Sequence, residues 1–298
     1  MPRTHLLLVL TICLVWAINF LTSATALREI PPLLFSALRL LPLMVLLLPW
    51  MSRPPQGRWL ALVTVALCNG ALHFGLNFWA LREAGNLSSP AIVLQSYIPM
   101  SVVLAVAFLG EKIGWRTWAG IAVSFGGVLV LGFDPIVLKA PFALFLMLAS
   151  ALSLAVGTVV MRRLTGMNPI GVQGWTALIA VGPLLLWSLA VEQGQWEAIR
   201  GASALAWFGV AWATIAASLL GHSLFYWLVQ RHPVSTLMPY LLVSPVIAVA
   251  LGIAFWGDRP GPRLYLGAAM VLGGVLFISL RARVRARKVL LSRLFPTV

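Results

Sequence analysis

Three polar side chains recur every four residues within one apolar stretch of this chain. Asn69, His73 and Asn77 lie in the run 59–81, and side chains four residues apart share one face of a helix. Amide and imidazole groups on such a face can hydrogen-bond a polar solute, and an imidazole can also carry a proton. The alternative is structural, because polar side chains in apolar helices often hydrogen-bond to neighbouring helices.

Other apolar stretches carry similar candidates. His222 and Tyr226 are four residues apart, with Ser218 extending their row, and Trp16 and Asn19 are three residues apart on one face. An amide in apolar surroundings must find hydrogen-bond partners, which makes Asn19 a sharper candidate than an indole that can simply pack. The predicted substrate-binding residues are Trp16, Asn19, His73, Asn77, Gln95, His222, Tyr226 and Tyr240.

Composition indicates what must position these side chains. The chain is 61% hydrophobic and 9% charged, with a mean hydropathy of +0.97, which leaves too little polar surface for a water-soluble globule. A bilayer core needs about 20 apolar residues per helix, and ten runs approach that length. We predict an all-α integral membrane protein with ten transmembrane helices. The predicted spans are 6–23, 32–50, 59–81, 88–109, 115–133, 141–161, 169–191, 203–229, 235–256 and 263–280.

Basic residues predict the orientation of these helices. One side of the predicted bundle holds fourteen of the 21 Lys and Arg residues and one of the seven acids. Because positive residues favour the cytoplasmic side, we predict that both termini are cytoplasmic. The basic tail 281–298 begins where the last predicted helix ends, so we expect it to contact anionic lipid head groups and not nucleic acid.

Charged groups are nearly absent from the apolar runs. All seven acids fall in turns or at helix ends, so the carboxylate relay of many proton-coupled pumps is missing. If the protein couples the movement of a solute across the membrane to protons, His73 and His222 are the candidate proton carriers. Otherwise the solute moves down its own gradient. Arg39 can attract a substrate carboxylate or snorkel to the membrane surface, and we favour the second, structural role.

The sequence contains none of the motifs that would indicate an enzyme or a metal site. Cys13 and Cys68 are isolated within helices, so we predict no metal site and no cofactor. The chain has no G-x-S-G serine motif, no paired intramembrane aspartates, no H-E-x-x-H and no phosphate-binding loop. We therefore predict that the protein is not an enzyme.

An internal repeat divides the chain into two halves. Residues 110–132 match residues 257–279 at an offset of 147, with nine of 23 pairs identical, including Gly120 with Gly267 and Gly127 with Gly274. Five helices per half is an odd number, so the second half must enter the membrane from the opposite side. The predicted units are repeat 1–133, inverted repeat 134–280 and tail 281–298, arranged around a central cavity as expected for alternating access.

Two prolines in corresponding helices mark points where those helices can bend. Pro99 cannot donate a hydrogen bond to the carbonyl of Gln95, four residues earlier. Pro245 lies one position from the repeat equivalent of Pro99. We predict gating or hinge roles for Pro99 and Pro245, with a static kink as the alternative.

Several segments resemble one known family. "WAINF" in the first helix, "IPPLLFSALRL" entering the second, and a Gly–acid–basic turn before a glycine-rich fifth and tenth helix are similar to the EamA type of the drug/metabolite transporter superfamily. Within it, the chain most resembles the YddG-like bacterial amino-acid exporters. The resemblance covers about residues 6–280. It implies a ten-helix bundle in the bacterial inner membrane with a central cavity open to one side at a time.

The resemblance and the neutral character of the candidate site suggest the same substrates. We expect alternating-access export of aromatic and other neutral amino acids and related small metabolites from the cytoplasm, by a protein that works as a monomer. The alternatives are a carrier for nucleotide sugars or drugs, and a channel. Nucleotide sugars would require several intramembrane cations for their phosphates, and the apolar runs offer Arg39 alone.

Overall fold

The computed structural model describes residues 3–54, 56–110, 112–164, 166–231 and 240–294, which form helices and turns with no β-strand among them. Eight helices in these ranges are long and apolar enough to cross a membrane, and two further apolar helices are shorter. These helices confirm the predicted all-α membrane class. In chain order they are α1 (Arg3–Ala26), α2 (Pro32–Leu46), α3 (Trp59–Ala84), α4 (Ser88–Leu109), α5 (Trp115–Gly132), α6 (Pro141–Met161), α7 (Pro169–Val191), α8 (Ala204–Phe225, continuing as helix to Arg231), α9 (Val243–Trp256) and α10 (Pro262–Leu294).

Two helices end four or more residues from the predicted position. Helix α2 ends at Leu46, and a separate 3₁₀ turn covers Leu48–Trp50, because Pro49 lacks an N–H and disfavours helical backbone in the residue before it. Helix α10 continues to Leu294, well into the predicted tail, since residues 281–294 contain neither Gly nor Pro and are rich in good helix formers.

Three of these helices contain π-helical segments. They cover Ala66–Leu72 in α3, Trp212–His222 in α8 and Gly252–Trp256 in α9. The offset of 147 carries residues 66–72 onto 213–219, inside the π segment of α8. A π turn widens the helix and changes which side chains share a face. The two histidines of the candidate site lie at the ends of these matching segments, since His73 follows the first and His222 closes the second.

Glycines bring α5 and α10 into close contact. A Cβ on Gly127 would lie 2.7 Å from the backbone oxygen of Gly267, and one on Gly274 would lie 2.7 Å from that of Gly120. The contacts run in opposite directions along the two sequences, so the helices are antiparallel. These glycines therefore allow the two backbones to approach closely, as small residues do between membrane helices.

Four carboxylates cap the N-terminal ends of helices that lie elsewhere in the sequence. Each accepts hydrogen bonds from backbone N–H groups, which a helix start leaves without intrahelical partners and where negative charge is favoured. The pairs are Glu192 with Leu33 and Leu34 of α2, Asp258 with Leu87 and Ser88 at α4, Glu29 with Ser203 at α8, and Asp134 with Leu264 of α10.

These four helices begin at the same end of the bundle, because successive helices alternate in direction. We call it the capped end. There, the indole of Trp256 at the end of α9 also donates to the carbonyl of Gly85, before α4. Three of the four carboxylates, all except Asp134, connect the first five apolar helices with the last five. These four acids therefore cap helix ends, which agrees with the prediction that all acids lie outside the apolar runs.

Candidate functional site

Arg39 lies in the centre of the bundle and not at its surface. The residue is 2% exposed, its Nη2 donates to Ser218 Oγ at 2.5 Å, and its guanidinium carbon lies 4.1 Å from the ring centroid of Phe74. The hydroxyl of Thr214 donates to the backbone oxygen of Arg39 at 2.9 Å. Helices α3 and α8 thus enclose the side chain, and the expectation that Arg39 snorkels to the membrane surface is wrong.

His73 connects α3 with α6. Its Nδ1 lies 2.8 Å from Ser150 Oγ, and the Ser150 hydroxyl donates to the backbone oxygen of His73 at 3.0 Å. Because that hydroxyl proton is used on the carbonyl, Nδ1 is the donor to Oγ in this arrangement. The preceding π segment also presents Asn69 to α6, where a Cβ on Gly157 would collide with the Asn69 amide. His73 therefore makes the interhelical bond that was the structural alternative, while remaining beside Arg39.

His222 and Trp16 meet at one carbonyl of α8. The Nδ1 of His222 hydrogen-bonds to the backbone oxygen of Ala217 at 2.9 Å, and the indole of Trp16 donates to the same oxygen at 3.2 Å. Their ring centroids are 5.3 Å apart. A side chain on Gly221 would meet the Trp16 indole nitrogen at 2.6 Å, so the glycine makes room for this contact.

Ser218 links these groups into one cluster. Its hydroxyl accepts from Arg39, and its backbone oxygen accepts from Gln173 Nε2 at 3.0 Å. Arg39 is within electrostatic range of both His73 and His222. We call the set Trp16, Arg39, His73, Gln173, Ser218 and His222 the central polar cluster. It draws side chains from α1, α2 and α3 and from α7 and α8.

The remaining candidates lie outside this set of contacts. Asn77 is buried one turn beyond His73, and its Oδ1 has no hydrogen-bond partner among the described residues. Asn19 accepts from Ser23, and Gln95 donates to the backbone of Ala91. Tyr240 is an exposed residue. The side chain of Tyr226 lies outside the part of the chain that the structure describes.

Both candidate hinge prolines follow an irregularity in the helix. The 3₁₀ turn Leu94–Ser96 ends three residues before Pro99, and a turn at Leu242 precedes Pro245 by the same distance. Both prolines are buried. The geometry agrees with local weakening of each helix by proline, and hinge motion at these points stays a prediction.

The cluster combines one fixed cation with neutral hydrogen-bonding and aromatic groups. The described residues contain no group of three or more His, Cys, Asp or Glu side chains placed to hold a metal ion. Such a set can bind and orient a small polar molecule through charge, hydrogen bonds and ring contacts.

One member of the cluster, Gln173, escaped prediction, Ser218 was named without a role of its own, and Arg39 was given the wrong position. Gln173 is a single amide in a run that otherwise follows apolar spacing, and Ser218 was recognised only as an extension of the His222 row. Arg39 was expected at the surface. The available signal was an isolated polar or charged side chain within an apolar membrane helix, which suggests a functional site.

Membrane-length helices that enclose buried polar groups define the chain as a multi-pass membrane protein with a polar centre. The sequence profile of the EamA-like transporter family matches residues 3–133 and 141–280. The chain belongs to this family and is a membrane transporter, which confirms the resemblance seen in its sequence.

Similar proteins include bacterial transporters. A "Probable amino-acid metabolite efflux pump" of Salmonella typhimurium is 25% identical over 96% of this chain and 98% of its own length. An "Uncharacterized inner membrane transporter YedA" of Escherichia coli K12 is 22% identical over 90% of this chain and 88% of its own. A solved crystal structure shares the fold, with a TM-score of 0.61 and 22% identity over 95% of this chain and 99% of that one.

Proposed function

We propose that the protein is a secondary transporter that exports aromatic and other neutral amino acids, and related small metabolites, by alternating access. The observation that carries this proposal is the central polar cluster, because helices from both halves of the chain supply it. A site shared between two halves can be exposed to either side of the membrane when the halves rock against each other.

We further propose ten transmembrane helices arranged as two inverted five-helix repeats, 1–133 and 134–280. The matching π segments of α3 and α8 support this arrangement. So do the antiparallel contacts of α5 and α10, because the offset of 147 exchanges the Gly127–Gly267 contact with the Gly274–Gly120 contact. The two stretches that match the family profile divide the chain at nearly the same place.

The proposed orientation places both termini in the cytoplasm of a bacterium, with the protein acting as a monomer in the inner membrane. The uneven distribution of Lys and Arg supports this orientation. In it the capped end faces the outside, and the helical extension of α10 faces anionic lipid on the inside.

The proposed substrate class rests on the chemistry of the cluster together with the name of one relative. Its aromatic rings suit apolar side chains, and its polar groups suit a small zwitterion. The name of the Salmonella typhimurium relative refers to amino-acid metabolite efflux. Nucleotide sugars are less suited, since a diphosphate would face one guanidinium.

Uptake by proteoliposomes tests the proposed function. Purified protein is reconstituted with unlabelled phenylalanine inside, and exchange with labelled phenylalanine, leucine or uridine diphosphate sugar outside is followed over time. We expect saturable exchange for the amino acids, strongest for phenylalanine, and its loss in His73→Ala. Thr158→Val is the matched control, because Thr158 is exposed and bonds only within its own helix.

Absence of saturable exchange for every amino acid would contradict the proposed function. Flux that does not saturate and appears as single-channel steps would indicate a channel. The same vesicles with and without a pH gradient distinguish proton coupling from facilitated exchange, and coupling through the imidazoles requires that the response disappear in His73→Gln or His222→Gln.

A further inference from the structure

Arg39 is a buried cation without an acidic partner. Its side chain contacts are the Ser218 hydroxyl and the faces of Phe74 and Phe78, at 4.1 and 5.2 Å from the ring centroids. No carboxylate of the described residues forms an ion pair with it, and its Nε has no hydrogen-bond partner there. A guanidinium has five N–H donors, so most of its binding capacity is unused.

A charge in this position is costly unless something compensates it. Removing an ion from water costs several kcal/mol after relaxation, on the order of the values for buried ions generally, and charged residues inside membrane helices usually face a partner or a pathway. The acids that make well-defined contacts, Glu29, Asp134, Glu192 and Asp258, are used at the capped end. A molecule that enters the bundle can supply the negative charge that these contacts do not.

A second group without a hydrogen-bond partner in the described part of the chain, the side-chain oxygen of Gln173, lies beside Ser218. Gln173 uses Nε2 to donate to the backbone oxygen of Ser218, while its buried Oε1 has no hydrogen-bond partner among the described residues. Ser218 thus accepts a hydrogen bond from Arg39 on its hydroxyl and one from the Gln173 amide on its backbone oxygen. A carboxylate at Arg39 and an ammonium group at Gln173 Oε1 would satisfy both, and the α-carbon of an amino acid carries these two groups side by side.

We infer that Arg39 binds the α-carboxylate of the substrate and that Gln173 accepts a hydrogen bond from its α-ammonium group. This inference rests on the proposed function and adds the part of the substrate that is recognised. It assigns selection of the zwitterionic head to the α2, α7 and α8 side of the cluster. Trp16 and the neighbouring rings are left to contact the variable side chain.

Competition among phenylalanine analogues tests the assignment. Exchange of labelled phenylalanine is measured against unlabelled phenylalanine, phenylalaninamide, which lacks the carboxylate, and 3-phenylpropanoate, which lacks the ammonium group. In the wild-type protein we expect both analogues to compete at least tenfold more weakly than phenylalanine. Arg39→Gln should abolish the preference over the amide, and Gln173→Leu should abolish the preference over 3-phenylpropanoate.

Arg39→Lys keeps the test decisive if Arg39→Gln does not fold. A lysine keeps the charge but not the paired donors of the guanidinium, so the preference for phenylalanine over its amide should fall severalfold without vanishing. Thr158→Val should retain both preferences. A wild-type protein that exchanges no amino acid would overturn the proposed function, whereas phenylalanine exchange with preferences unchanged in Arg39→Lys and Gln173→Leu would overturn this inference alone.

Discussion

Asp258 offers a quantitative test of the capped end. The residue is 6% exposed, and its Oδ2 accepts from Leu87 N at 3.0 Å, Ser88 N at 2.9 Å and Ser88 Oγ at 2.5 Å. In Asp258→Ala the hydroxyl can rotate to a new acceptor, but the two backbone donors cannot. Each buried donor left without a partner costs about 1 to 3 kcal/mol. Two such donors give about 2 to 6 kcal/mol, and we expect about 2 to 4 kcal/mol because the helix end borders water.

The measurement is the free energy of unfolding from reversible titration with sodium dodecyl sulfate in mixed micelles. Asp258→Asn keeps an acceptor oxygen and loses only the charge, so it should cost about 1 kcal/mol. Glu83→Ala is the control, because Glu83 is exposed and an exposed substitution is expected to stay within about 0.5 kcal/mol. If Asp258→Ala is no more destabilising than Glu83→Ala, the capping interpretation is wrong.

Two further predictions follow from helix contact and from charge. Gly127→Ala should destabilise the protein by about 1 to 3 kcal/mol, because its Cβ would meet backbone atoms of α10. Gly273→Ala is the control, because the space around Gly273 is open; it should leave the free energy of unfolding unchanged or raise it by up to about 1 kcal/mol. Equal effects of the two substitutions on the free energy of unfolding would refute the contact. Hydrogen bonds from Ser203 lower the pKa of Glu29 below 4.5. Its contribution to stability is therefore complete above that pH and is lost as the pH falls through the lowered pKa, so the difference in stability between wild type and Glu29→Gln should vanish in acid.

The sequence allowed the helices to be located but not their internal geometry. Runs of apolar residues predicted where α3 and α8 lie, since only a helix satisfies its own backbone in lipid. The π segments within them were not predictable, because the hydrogen bonds that their carbonyls accept come from distant helices, as from Trp16 to Ala217 and from Ser153 to Cys68. The predicted spacing from Asn69 to His73 assumed a regular α-helix. In the structure, the π segment Ala66–Leu72 contains Asn69 and ends directly before His73.

The position of Arg39 likewise could not be predicted from the sequence. About seven residues of helix separate it from the start of α2, a depth from which a long side chain can still reach the interface. The choice between interface and interior depends on Phe74 and Ser218, which come from helices far away in the sequence. Local spacing contains no information on either contact.

The distribution of charge connects the fold to the proposed selectivity. Helix starts at the capped end bind carboxylates, so acids placed there stabilise the bundle without entering its centre. Arg39 is consequently the one fixed charge among the central contacts described above, and the cluster around it is neutral. A solute that brings a carboxylate is stabilised in such a centre, whereas an amine without one meets an unfavourable positive charge. Under the proposed function, fold stability and the expected discrimination against organic cations both follow from the same partition of acids and bases.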